Sequence, residues 1–188
     1  GVKRDLPIVF ALRCRAKLKL FLERIQEYEA ILDESTIFLV RTQGVGYAKA
    51  EEMINHGVSG PNVRAAGHNY DVRWAHPYSV YDELDWEPSV ERPSIKGSDC
   101  YDRYRVRVEE MRQSALMILD GLDKMPGGAD THYQSGDPAI IGKAPARAAE
   151  GQTGFHHFED SRGESMFYLA GGGEERGKHP YRVSIRSP

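Results

Sequence analysis

"DCYDRYRVRVEEMRQS", Asp99 to Ser114, decides how this chain is read, because it combines a helical apolar period with charges of both signs. Tyr101, Tyr104, Val108, Met111, Ala115, Ile118, Leu122 and Met125 step by three or four. That spacing predicts one long helix from Tyr101 to Met125, with an apolar stripe about 120° wide facing a core. Pro126-Gly127-Gly128 stops it. On the polar side Asp99–Arg103, Asp102–Arg105, Arg105–Glu109, Arg107–Glu110 and Glu109–Arg112 fall at i,i+3 or i,i+4. Each such pair is worth only about 0.2–0.5 kcal/mol on an exposed face. Ala115-Leu116-Met117-Ile118-Leu119 is apolar all round, which predicts burial on several sides of the second half. Arg107 and Arg112 flank the stripe, so each either meets packed neighbours or another chain, or snorkels into solvent.

Working outward, Leu18, Phe21, Leu22, Ile25, Tyr28, Ile31 and Leu32 mark an amphipathic helix over Arg15–Asp33. The glycine-punctuated segment that follows predicts a short helix near Ala48–Asn55 ended by Gly57, then a Gly60–Pro61 turn opening another helical turn. His76 to Gly97, with Pro77, Pro88, Pro93 and the acidic "YDELDWE", favours extended chain and turns. The Gly-, Pro- and Ala-rich tract from 126 to 154 reads as a long loop. Beyond it, Met166–Leu169 and Tyr181–Ile185 around a Gly-rich turn predict a β-hairpin. The fold class is therefore α+β and mainly helical: one partial domain, helical over 1–125, loop over 126–154, β-rich over 155–188.

The chain has 188 residues, a net charge of −3 and 40% apolar residues, as one soluble domain or a large piece of one would. Its basic residues are dispersed, which gives no electrostatic reason to expect nucleic acid. No run approaches the roughly 18 apolar residues that cross a bilayer. Cys14 and Cys100 stand far apart, so neither a disulfide framework nor a CxxC pair for zinc or an iron–sulfur cluster is present. His156-His157 with Glu159 and Asp160, and His132 and His179, lack metal-ligand helical spacing. Gly171–Gly173 lie between strands, outside the context of a phosphate loop, and neither "VSGP" nor "SGDP" is a nucleophile elbow. No catalytic residue and no metal ligand is expected from these patterns.

Longer blocks carry a resemblance. "GVKRDLP", "RIQEYEAIL", "GPNVRAAGHNYDVR", "PYSVYDELDW", "DCYDRYRVRVEEMRQS", "LDKMP", "RGESMFYL" and "PYRVSIRSP" resemble, in order and over nearly the whole chain, the D-subunit family of NADH:quinone oxidoreductases, respiratory complex I. The resemblance implies the fold of the [NiFe] hydrogenase large subunit. It implies a peripheral membrane location on the cytoplasmic side, or the matrix side in a mitochondrion. Partners would be the B and C subunits of such a complex and, through neighbours, the membrane arm. A quinone would bind at the interface with the cluster-bearing B subunit, while NADH and iron–sulfur clusters would be held elsewhere, so the isolated chain is expected to be inactive. Arg162 of "SRG" falls where hydrogenases have an arginine near the metal centre. It either faces the cavity or is a structural arginine paired with Glu159 or Glu164. Glu164, Arg105, Glu109, Arg112 and Arg186 complete the candidates for cavity or partner contact. Related complexes driven by reduced F420 or ferredoxin, or evolving hydrogen, share this architecture, and a non-redox interaction domain of the same fold is the remaining alternative.

Overall fold

A computed structural model describes residues 6–91, 93–125, 151–173 and 179–188. Helices α1 (Ile8–Asp33), α2 (Thr36–Thr42), α3 (Ala50–Asn55), α4 (Pro61–Ala65), α5 (Val72–Ala75) and α6 (Cys100–Lys124) precede strands β1 (Thr153–Asp160), β2 (Gly163–Ala170) and β3 (Arg182–Arg186). The result is a mixed fold of helices and a small antiparallel sheet. α1 begins nearly two turns before Arg15, because "IVFAL" after Pro7 contains no breaker. α2 is an addition to the expected elements; Ser35 caps it, its Oγ accepting from Phe38 N at 3.4 Å. α3 and α4 fall where Gly57 and Gly60–Pro61 placed them, both glycines at positive φ. No helix among the described residues is long and apolar enough to cross a membrane.

α6 holds two corrections. Of the predicted stripe, Val108 and Ala115 are buried, but Met111 and Ile118 stay 44% and 48% exposed. Val106 and Met117 are buried instead on a second face, with Glu110 and Gln113 between them in the same 106/110/113/117 row. One face meets α1 and the other α4. Of the five intrahelical pairs named above for the first half of the helix, only Glu109–Arg112 forms, while Asp120 and Lys124 pair at 2.8 Å near its end. Asp99 is instead the N-cap: it accepts from Asp102 N at 2.9 Å, Asp102 accepts from Asp99 N at 3.0 Å, and Asp99 Oδ2 also accepts from Gly44 N at 2.8 Å. Arg103 donates to Ser98 O and Gly46 O, and Arg107 to Asn62 Oδ1. The charges of this helix therefore tie it to other elements.

The sheet is an antiparallel meander in the order β1-β2-β3. The expected hairpin is its β2–β3 half, Met166 pairing Arg186 and Ala170 pairing Arg182. β1 is the unexpected strand, and it takes in Thr153 and Gly154 from the end of the predicted loop. Residues 126–150 of that loop lie outside the described residues. Ser161-Arg162 turn β1 into β2, and Gly163 packs there against Gly60 so closely that a Cβ on Gly60 would sit 2.3 Å from Gly163 Cα. Ser59 Oγ accepts from Glu164 N at 2.9 Å across the same crossing. This contact holds the tip of the β1–β2 hairpin against the start of α4. The core lies between these elements: Val63, Ala65, Val72 and Val106 are at most 2% exposed.

Candidate functional site

Docking the hairpin on α4 brings four distant segments around one arginine. α4 is too short to project Arg64 beyond its neighbours, and the side chain ends 1% exposed among carboxylates. Arg64 Nε and Nη2 both reach Glu110 Oε1 at 2.8 Å, on α6. Its Nη1 donates to Glu159 Oε1 on β1 and to Tyr70 O, each at 2.9 Å, and lies 3.2 Å from Asp71 Oδ2. Asp71 caps α5, accepting from Arg73 N at 3.0 Å, and pairs in bidentate fashion with Arg73 Nε and Nη2 at 2.9 and 2.7 Å. Glu159 Oε2 also accepts from Val72 N at 3.3 Å. The guanidinium of Arg73 lies 4.8 Å over the ring of Trp86.

Three carboxylates thus share two guanidinium groups, an excess of one negative charge in a buried cluster. Desolvation raises both Glu110 and Glu159 above the ordinary carboxylate range, against the opposing pull of Arg64. Burial works against the charge of Arg73, but the hydrogen bonds and charge of Asp71 outweigh it and hold Arg73 above its usual value. Arg64, Arg73, Glu110 and Glu159 of the cluster line the floor of a cavity of about 710 Å³ between α1 and α6. Leu18 and Phe21 of α1 and Met111, Ala115 and Ile118 of α6 wall it, with Asp160 and Ser161 at the hairpin end. Met111 and Ile118 are exposed because they face this space. Apolar walls above an ion-paired, hydrogen-bonding floor suit a ligand with an apolar body and a polar head.

Behind the floor lies a second polar group. Glu164 Oε1 accepts from Tyr70 Oη at 3.3 Å and lies 2.6 Å from His157 Nδ1, while His157 stands 5.3 Å from His76, ring to ring. Burial, then the charge of Glu164, raises Tyr70 above the ordinary phenol range. Neighbouring His156 points to the other side of β1, as strand alternation requires. Among the described residues no group of three or more His, Cys, Asp or Glu is arranged to hold a metal ion.

The residues singled out in the sequence fall in three places. Arg112 lies 2.5 Å from Glu29 of α1 and also pairs with Glu109, so it ties α6 to α1; Arg105 reaches Glu91 at 3.4 Å, more than half exposed. Arg162 is exposed in the β1–β2 turn. No acidic group pairs with it among the described residues, since Glu159 goes to Arg64 and Glu164 to His157. Arg186 bonds Gly57 O and contacts Met166 Sδ at 3.6 Å, joining β3 to the turn after α3. Sequence reading missed Arg64, Asp71, Arg73 and Glu110 and used Glu159 only as a foil for histidine and Arg162. One signal was available: Glu110 stands in the buried 106/110/113/117 row of α6, where a carboxylate needs a partner.

The fold has a close counterpart among solved structures. A chain of the membrane-bound sulfane sulfur reductase, an archaeal respiratory membrane complex, superposes with a TM-score of 0.79 at 32% identity, covering 100% of this chain and 48% of its own. The chain thus has the fold of about half of a subunit of that respiratory membrane complex. The family described as respiratory-chain NADH dehydrogenase, 49 Kd subunit, matches residues 1–188, and the chain belongs to it. The D 1 subunit of NADH-quinone oxidoreductase from Roseiflexus sp. (strain RS-1) is 38% identical over 190 residues, covering 100% of this chain and 48% of the relative. The H subunit of NAD(P)H-quinone oxidoreductase from Thermosynechococcus vestitus is 35% identical over 203 residues, covering 100% and 50%. The chain therefore spans about half the length of these relatives.

Proposed function

We propose that this chain is part of a subunit of a proton-translocating NADH:quinone oxidoreductase, where it walls the quinone cavity and serves as scaffold for neighbouring subunits. Family membership supports this reading, and the observation that carries it is the cleft between α1 and α6: apolar walls for a quinone's hydrocarbon and an Arg64–Glu110–Glu159 floor for its carbonyl oxygens. NADH and iron–sulfur clusters would be held by other subunits. The chain would form one partial domain with the fold of the [NiFe] hydrogenase large subunit, held peripherally on the cytoplasmic or matrix side. The B and C subunits of such a complex are the proposed partners, and Arg105, Glu109, Arg112, Arg162, Glu164 and Arg186 the proposed cavity or partner contacts. A photoreactive quinone analogue, applied to the assembled complex, should label Phe21, Met111 or Ile118. Labelling confined to other segments would refute the assignment of this cleft.

The sulfane sulfur reductase likeness supports a second reading, in which the same subunit architecture serves a different electron donor or acceptor. F420- or ferredoxin-driven dehydrogenases and membrane-bound hydrogenases belong with it. Reduction of quinone by NADH in the purified complex favours the first reading; reduction of another acceptor, with quinone inert, favours the second.

A further inference from the structure

The hydroxyl oxygen of Ser89 is buried, and no hydrogen-bond partner reaches it among the described residues. Buried polar atoms in native proteins are almost always paired, so the missing partner needs an explanation. Ser89 lines a second cavity, of about 10 Å³, together with Asp71, Arg73, Glu110, Gln113 and Ser114. That volume is about what one water molecule needs, and it is far too small for an organic ligand. Much of the polar wall is already engaged. Asp71 takes Arg73 Nε and Nη2, Trp86 Nε1 donates to Tyr81 O at 3.0 Å, and Ser114 Oγ donates to Glu110 O at 2.7 Å. Hydrogen-bonding capacity remains at Ser89 Oγ, Glu110 Oε2 and Gln113 Oε1. Both Arg64 nitrogens that reach Glu110 land on Oε1, and Gln113 engages Glu109 through Nε2 at 3.2 Å.

We infer that this small cavity is the binding site of one ordered water molecule, which accepts a hydrogen bond from Ser89 Oγ and donates to Glu110 Oε2 and Gln113 Oε1. A buried water typically makes about three such bonds. The water pairs the Ser89 hydroxyl, which otherwise loses its hydration on burial with nothing in return. It also gives Glu110 a donor that does not depend on Arg64. In a cluster of three carboxylates and two guanidinium groups, Glu110 is the acid whose described side-chain bonds come from one residue alone, and its side chain keeps 19% exposure. Burial raises Glu110 above the ordinary carboxylate range, and a water donating to the ionised form works against that rise. An ion fits the wall less well. A cation would sit against the guanidinium of Arg73 and an anion against Asp71 and Glu110, whereas water offers the carboxylate a donor and the hydroxyl an acceptor. None of this depends on what occupies the cleft between α1 and α6.

The test is a density map of the assembled complex at a resolution that shows ordered water, with hydroxyl-radical footprinting of the wild type and Ser89→Val. The map should hold a peak within hydrogen-bond distance of both Ser89 Oγ and Glu110 Oε2. Irradiation turns a held water into a hydroxyl radical in place, so the thioether of Met117, which lines the cavity at only 7% exposure, should be oxidised. A valine side chain fills the space and offers no hydroxyl, so Ser89→Val should lower Met117 oxidation several-fold. Met111, 44% exposed on the same helix, should be oxidised equally in both proteins. A direct bond from Ser89 Oγ to a protein group, with no peak between Ser89 and Glu110, would overturn the assignment. So would a peak whose height follows the alkali cation of the buffer, which marks an ion, or equal Met117 oxidation in the two proteins. If Ser89→Val fails to assemble, the wild-type map decides by itself.

Discussion

Replacing Arg64 by Met removes the charge that the buried Asp71 and Glu159 carboxylates and the partly buried Glu110 share, while keeping much of its volume. Asp71 retains its bidentate pairing with Arg73, and Glu159 retains the bond from Val72 N, but Glu110 loses every described partner. Breaking a buried ion pair from one side costs about 3–5 kcal/mol, because the remaining charge is left desolvated. The sign of the pH dependence follows from the raised folded-state values of Glu110 and Glu159. A raised acid stabilises the fold below its unfolded value, and this contribution is lost as pH rises through the folded value. Without Arg64 the folded values rise further, each unit being about 1.4 kcal/mol, so the window of loss widens toward higher pH. Arg64→Met should therefore cost about 3–5 kcal/mol at pH 8 and distinctly less at pH 5. Urea unfolding of the full-length subunit at both pH values measures it, since guanidinium chloride would screen the charges. A loss below about 1 kcal/mol at pH 8, or an equal loss at both pH values, would refute the account of the cluster.

Three further outcomes are expected. Gly60→Ala places a Cβ 2.3 Å from Gly163 Cα at a φ of +74°, so it should cost about 2–5 kcal/mol and loosen the hairpin; protection of β1 amides from hydrogen exchange would fall with it. Asp99→Ala removes the α6 cap and the bond from Gly44 N, and a urea midpoint shift equivalent to about 1–2 kcal/mol should follow. Arg112→Ala breaks its contacts with Glu29 and Glu109, both partly solvated, so urea unfolding should register about 1 kcal/mol or less. If Arg112 also faces a partner, co-purification with the cluster-bearing neighbour would weaken beyond that small loss; unchanged co-purification would confine Arg112 to the α1–α6 clamp.

The order of elements was largely legible in the sequence. Apolar residues three and four apart marked α1 and α6, and Gly57 and Gly60–Pro61 marked the punctuation of α3 and α4, because helical periodicity and glycine's backbone freedom are local properties. The long collinear blocks located the family. What stayed hidden was the second buried face of α6, since Val106 and Met117 share it with Glu110 and Gln113, and a polar residue in a row reads as solvent-facing until its partner is known. β1 stayed hidden too: "TGFHHFED" alternates weakly, and pairing with β2 is what orders it. The site belongs wholly to the tertiary structure. Arg64, Asp71, Glu110 and Glu159 are up to 95 residues apart, and the packing of α4 on α6, the Gly60–Gly163 crossing and the contacts of β1 with α5 close the distance. Periodicity determines which face of an element turns inward; which charges meet there depends on long-range packing, because a buried charge is tolerable only where another segment brings its counter-charge.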